Sequence, residues 1–255
     1  MRAIQVEGDQ LVWGEAPSPT LGSDDVRISV KATAVNRADL AQRAGGYPPP
    51  PGASPILGLE CSGVVDSIGD DVDRFKPGDE VCALLAGGGH AEEVVAPAGQ
   101  VLPMPKGFSF TDGAAIPEVF ATAYLNLFME AAMAPGERAL LHAGASGVGT
   151  AAIQLCKEFG NPCFVTAGSD DKIERCVALG AAGGSNRHTG RFADEVGRWT
   201  DDQGFDVILD PVGAAYLEDN LASLNLDGRL VLIGLMGGTE ANLSLPRLMM
   251  KRLRI

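Results

Sequence analysis

The chain has 255 residues, enough for one large domain or two ordinary ones, and its 45% hydrophobic and 21% charged content is that of a soluble globular protein. A net charge of −13 argues against nucleic acid and anionic membrane surfaces as partners. No stretch reaches the apolar length of a membrane span, the start Met1-Arg2-Ala3-Ile4 is not a signal peptide, and five scattered cysteines without a C-x-x-C pair fit a reducing cytoplasm.

The first half reads as strands. Residues 2–6, 26–35, 63–67, 80–85 and 90–95 carry β-branched side chains between Gly, Pro and Asp punctuation, and short strands at this density predict a compact, partly closed β domain. Two stretches interrupt it. Residues 36–43 form a short helix that Asn36 is placed to cap, with Asp39 as the reciprocal partner. Residues 44–52 follow, where the run Pro48 to Pro51 stiffens a loop and holds Tyr47 at its hinge.

The pattern changes near residue 118, which predicts two domains, 1–117 and 118–255. A long helix is expected over 118–132. Residues 139–143 read as a buried strand, broken by the turn Gly144, Ala145, Ser146, Gly147, Val148, Gly149. Apolar residues then recur at Val148, Ala151, Ala152, Leu155, Cys156 and Phe159, the spacing of a helix stripe. Strand, glycine turn and helix N-terminus together suit the pyrophosphate of a dinucleotide, although Ser146 stands where G-x-G-x-x-G has its second glycine. Strands at 162–167, 204–210 and 228–235 alternate with helices at 169–179 and 214–224. Residues 245–254 read as a helix leading into one more strand, and Ile255 is the last residue. The predicted class is α/β: a β-rich domain followed by a doubly wound parallel sheet lacking its last strand, with 228–235 as an exposed edge.

An ordered set of motifs runs through the whole chain: AVNRADL at 34–40, Gly46-Tyr47 with the prolines, ILGLECSG at 56–63, HAGASGVG at 142–149, TAGS at 166–169 and GLMGG at 234–238. In this it resembles the zinc-independent quinone oxidoreductases of the medium-chain dehydrogenase/reductase superfamily, which are zeta-crystallin-like, and within them most the tumour-suppressor-inducible type. The resemblance implies a GroES-like β-rich domain and a Rossmann nucleotide domain. Family members are longer, so a C-terminal truncation is expected. The absent part would hold the sixth strand used for homodimer formation and a segment that completes the β-rich domain. The alcohol-dehydrogenase branch holds a catalytic zinc with a Cys where this chain has Asn36, and a Gly-His-Glu where it reads Gly58-Leu59-Glu60. An amide and an isobutyl group do not replace a thiolate and an imidazole, and His90, His142 and His188 show no ligand spacing, so no metal is expected.

NAD enzymes place a carboxylate about 20 residues past the glycine turn to hold the adenosine ribose. Here that strand end reads Gly168-Ser169, which leaves room for a 2′-phosphate; Ser169 offers a hydrogen bond, Lys172 a charge and Arg187 a planar fork. The resemblance assigns these positions to phosphate contact, so NADPH is the expected cofactor; the plainer reading has Ser169 capping its helix and Lys172 solvated. Without zinc the acceptor must already be electrophilic, a quinone or conjugated enone. The resemblance places Asn36 near the nicotinamide, beside its role as helix cap. Tyr47 is expected to close over substrate or donate a proton, or else to pack against the prolines. Thr122 is expected to face the nicotinamide amide, or to lie on an ordinary helix surface. Gly234, Leu235 and Met236 fall at the carboxyl edge of the fifth strand, where open sheets bind ligands. Asn36 and Tyr47 are the candidate catalytic residues; an NADPH-dependent quinone reductase is the expected function. The alternatives are an enone or enoyl reductase and a low-turnover NADPH-binding redox sensor or partner protein.

Overall fold

The computed structural model describes all 255 residues, and they form two units, Met1–Glu118 and Val119–Ile255. In the first, β1 (Arg2–Glu7) and β2 (Gln10–Glu15) pair as an antiparallel hairpin. Then come β3 (Asp25–Thr33), helix α1 (Arg37–Arg43), β4 (Glu60–Ile68), β5 (Glu80–Leu84), β6 (Glu93–Pro97), β7 (Val101–Pro103) and the single turn α2 (Phe110–Gly113). Five strands form one antiparallel sheet in the order β6-β3-β4-β5-β7. Its core gathers alternate residues, Val26 and Ile28 from β3 with Val65, Val81, Ala83, Val94 and Ala96, as expected where one face of a strand is buried. Gly63 lies so close to β3 that a Cβ there would sit 2.1 Å from the Ser29 carbonyl oxygen. The β3–β4 pair shifts register twice, between Arg27 and Ile28 and between Val30 and Ala32, bending the strand that leads to α1.

Helix α3 (Pro117–Tyr124) carries the chain into the second unit and passes into a π-helical turn, Leu125–Glu130. The single helix expected over 118–132 is therefore two segments. The ladder widens by one residue, with Ala131 N–H reaching back to the Asn126 carbonyl, and the chain leaves through Ala132 at φ 48. After it come β8 (Ala139–Leu141), α4 (Gly147–Phe159), β9 (Cys163–Ala167), α5 (Asp170–Leu179) and β10 (Gly183–Asn186). The chain continues through α6 (Val196–Thr200), β11 (Phe205–Asp210), α7 (Leu217–Ser223), β12 (Leu224–Leu232) and α8 (Leu245–Met250). The sheet is parallel throughout in the order β10-β9-β8-β11-β12, the 3-2-1-4-5 order of a doubly wound nucleotide fold. Ala139, Leu141, Cys163, Val165, Val207 and Leu209 pack on one face with α4 residues Ala152, Ile153 and Cys156. Leu140, Phe164, Phe205 and Ile208 pack on the other with Phe192, Trp199, Leu221 and Leu253. Both faces are covered, which is why β8, β9 and β11 are mostly apolar, with polar side chains only at Thr166, Asp206 and Asp210.

The last strand differs from its expected span of 228–235. It begins at Leu224, which pairs with Phe205, passes an irregularity at Asp227 (φ 61), and ends at Leu232. Its outer edge is partly covered. Arg254 bridges to Arg229, with Leu230 N–H bonded to the Arg254 carbonyl at 2.9 Å and Arg254 N–H to that of Gly228 at 3.0 Å. Arg229 itself is buried and forks onto both oxygens of Glu137, with its Nε on the Ala131 carbonyl.

Candidate active site

The carboxyl edge of the parallel sheet is built from the turns after β8, β9, β11 and β12. At the first, Ser146 is the N-cap of α4: its hydroxyl accepts the Gly149 N–H at 3.1 Å. The residue occupying the second-glycine position thus starts the helix whose free N–H groups face the ligand edge. The glycines have separate reasons. A Cβ on Gly144 would sit 2.6 Å from the Val165 side chain, and one on Gly149 would sit 2.5 Å from the Gly144 carbonyl oxygen. Ala145, Ser146 and Gly147 are exposed, and Val148 is half-buried. An exposed, small-residue turn at the start of a thirteen-residue helix fits an anionic diphosphate.

At the end of β9, Gly168 meets Arg187: a Cβ on Gly168 would lie 3.6 Å from the Arg187 Nε. The guanidinium therefore lies over the position where a ribose-binding carboxylate would stand. Ser169 occupies the N-cap position of α5 but makes no side-chain cap bond. The Ser169 hydroxyl beside the Asp171 carboxylate helps hold that carboxyl below its usual range. Asp170 accepts from the Asn186 amide at 2.9 Å. Lys172 is exposed one turn into the helix.

After β12, Gly234, Leu235 and Met236 fold back on the loop after β11: Met236 N–H reaches the Pro211 carbonyl at 3.2 Å and Gly237 N–H that of Val212 at 2.6 Å. Gly234 is small because a Cβ there would sit 2.8 Å from the Pro211 carbonyl oxygen. Leu235 and Met236 are half-exposed apolar groups on this edge. Thr122, near the end of α3, is half-buried, and its carbonyl accepts from the Asn126 amide at 2.8 Å.

In the β-rich unit, Asn36 is the N-cap of α1. Asp39 accepts its backbone N–H at 2.7 Å, as the capping pattern predicts, while the Asn36 side-chain amide donates to Glu60 Oε1 at 2.8 Å. Glu60 Oε2 takes the Glu118 N–H at 2.9 Å. Burial pushes the Glu60 carboxyl above its usual range, against the pull of these two donors. Asp39, also buried, accepts the Gly58 N–H at 2.9 Å and lies 3.9 Å from His90 Nε2. Tyr47 is on the loop after α1, 49% exposed. Asn36, Glu60 and Asp39 thus form one polar cluster, to which Tyr47 is not hydrogen-bonded.

The sequence reading pairs Asp39 with Asn36 but misses Glu60 as a member of this cluster, and it misses Thr166, Asp210 and Asn220 around His142. Asp210 closes an apolar strand and is followed by Pro-Val-Gly, the one local signal of an Asx-type turn. The five cysteines are free and buried, and no group of side chains is arranged to hold a metal. No helix is long and apolar enough to cross a membrane.

Residues 22–106 match the alcohol dehydrogenase GroES-like domain family, and residues 147–255 the zinc-binding dehydrogenase family. The chain is 34% identical over 228 residues to the synaptic vesicle membrane protein VAT-1 homolog of Danio rerio, covering 88% of this chain and 47% of that protein. It is 32% identical over 248 residues to the quinone oxidoreductase of Rattus norvegicus, covering 95% of this chain and 75% of that one. The chain thus spans about half the length of the first relative and three quarters of the second. Among solved structures, Escherichia coli quinone oxidoreductase complexed with NADPH superposes with a TM-score of 0.85 at 28% identity, over 99% of this chain and 78% of that one. The CurK enoyl reductase gives 0.86 at 31% identity, over 99% and 79%. With the glycine-turned parallel sheet and the Asn36-bearing β-rich unit described above, these likenesses establish that the chain belongs to the medium-chain dehydrogenase/reductase superfamily, with quinone oxidoreductases among its relatives and structural neighbours.

Proposed function

We propose that this protein is an NADPH-dependent oxidoreductase that reduces quinones by hydride transfer without a metal. The observation that carries the cofactor choice is the guanidinium of Arg187 over Gly168. A 2′-phosphate there meets a planar cation instead of a carboxylate, with Lys172 adding charge nearby. The exposed turn 145–147 and the N-terminus of α4 receive the pyrophosphate. NADPH, when bound, supplies the hydride. The protein's own part is to orient cofactor and acceptor and to exclude water. Asn36, with its nitrogen tied to Glu60, turns the opposite side of its amide, an acceptor oxygen, to a polar group of the ligand. Tyr47, exposed on its loop, offers a ring to stack on a flat acceptor and a hydroxyl to protonate the reduced oxygen. Positions 36 and 59 carry Asn and Leu, side chains that do not serve as zinc ligands, so the acceptor must be electrophilic by itself.

The likeness to an enoyl reductase favours a second reading, reduction of a conjugated double bond with the same cofactor logic. Turnover of NADPH against a panel of ortho-quinones and enones separates the two: the first reading expects quinones to give the higher kcat/KM, and a preference for enones overturns it in favour of the second.

A further inference from the structure

A chain of buried polar groups crosses beneath the ligand edge of the second unit. Thr166 Oγ1 lies 3.0 Å from His142 Nδ1, His142 Nε2 lies 2.7 Å from Asn220 Oδ1, and Asn220 Nδ2 donates to Asp210 Oδ2 at 2.8 Å. All four residues are buried, and the imidazole packs edge-to-face in one aromatic cluster with Phe192 and Tyr216. At one end, the Ala143 N–H points at Thr166 Oγ1. At the other, Val212 N–H donates to Asp210 Oδ1 at 2.6 Å and Gly213 N–H reaches both carboxylate oxygens at 3.2 Å.

The direction of every bond follows from one end. Both Asp210 oxygens accept, so the carboxylate takes the Asn220 amide nitrogen and leaves the Asn220 oxygen for His142. His142 must then donate through Nε2 and accept through Nδ1, and Thr166 must give its hydroxyl proton to Nδ1. That leaves a lone pair of Thr166 for Ala143. A neutral imidazole satisfies this arrangement, in keeping with burial pulling the His142 pKa down to about 4.

The loops at the two ends are the ones the ligand must meet. Ala143, at φ 52, starts the glycine turn, and residues 211–213 carry the 234–238 loop through the Met236 and Gly237 N–H groups. We propose that Thr166, His142, Asn220 and Asp210 are positioning residues, a directed hydrogen-bond relay that sets the glycine turn and the 211–213 loop in register for dinucleotide binding. The relay acts through these loops and need not touch the ligand. The inference rests on the dinucleotide reading above.

The test is NADPH affinity, by fluorescence titration, for the wild type, Thr166→Val, Thr166→Ser and Leu224→Ala. Valine keeps the volume and removes the hydroxyl; it is expected to weaken binding about tenfold, while serine restores wild-type affinity. Leu224→Ala creates a core defect at the opposite end of the sheet and is expected to lower stability with affinity unchanged. Heteronuclear NMR of the wild-type imidazole, which needs no variant to fold, is expected to show His142 with its proton on Nε2. Wild-type affinity in Thr166→Val, an equal loss in Leu224→Ala, no rescue by serine, or a proton on Nδ1 each overturns the relay while leaving the cofactor reading in place. No NADPH binding by the wild type overturns the cofactor reading and the relay with it.

Discussion

Asn36 gives its side-chain amide to Glu60 Oε1 at 2.8 Å, and the other oxygen of the same carboxylate holds the Glu118 N–H at 2.9 Å. The pair decides which way the Asn36 amide faces, with its nitrogen toward the Glu60 carboxylate. Glu60→Gln keeps the shape but leaves one acceptor oxygen for two donors. Turnover is expected to fall about tenfold, or about 1.4 kcal/mol of transition-state stabilisation, with NADPH affinity unchanged. Steady-state kinetics with a cofactor titration check this.

The same carboxyl carries a pH signature. Burial, the largest influence on it, raises its folded pKa above the unfolded value, so the folded state holds this proton more tightly. The Glu60 charge therefore costs the fold progressively more stability as pH rises through the unfolded value to the folded one. Glu60→Gln should gain stability relative to wild type across that window. Denaturant unfolding at pH values below and above the carboxylate range reads the difference; a gap that narrows as pH rises contradicts the assignment.

His142 behaves in the opposite sense. Its folded pKa, lowered to about 4 by burial, lies below that of an unfolded histidine, so the unfolded state binds the extra proton first. Stability is then lost as pH falls from about 6.5 toward 4, by on the order of 3 kcal/mol for this one group. Urea unfolding across that range should show this slope in wild type and a shallower one in His142→Gln, which has no imidazole to charge.

Gly168 has space for a side chain, since the nearest atom to a Cβ there is the Arg187 guanidinium at 3.6 Å. Gly168→Asp should therefore fold, pair with Arg187 and repel a 2′-phosphate. NADPH is expected to bind 10- to 100-fold more weakly, as for loss of a charge-assisted contact of about 1.5–3 kcal/mol, with NADH affinity equal or better. Isothermal titration with both cofactors measures the crossover.

Tyr47→Phe removes only the hydroxyl from an exposed ring. Turnover of an ortho-quinone should drop with NADPH binding unchanged; unaltered turnover leaves Tyr47 with no chemical part.

Much of the fold is legible because it is periodic. β8 is apolar throughout and β11 runs apolar from Val207 to Leu209, since helices cover both faces, and the glycine turn between β8 and α4 carries its own steric signature. What periodicity does not reach is local or distant. β2 is mostly exposed, and β10 reads Gly-Gly-Ser-Asn; each is a strand because a neighbour offers an edge to pair with, not because its own residues ask for one. The π-helical turn at Leu125–Glu130 depends on one extra residue in the ladder, which leaves apolar spacing almost unchanged. In the site, the residues facing the ligand edge follow from motif and resemblance. Their supports do not: Asn36 meets Glu60 across 24 positions and His142 meets Asn220 across 78, pairings made only by the sheet.

The account turns on the phosphorylated cofactor being used, and not merely held, against an electrophilic acceptor. Steady-state oxidation of NADPH and NADH by an ortho-quinone, on the chain as it stands, tests this most directly. The account predicts quinone-dependent NADPH oxidation with kcat/KM at least tenfold above that for NADH. Equal use of the two cofactors, or tight NADPH binding with no oxidation by any quinone, would contradict it.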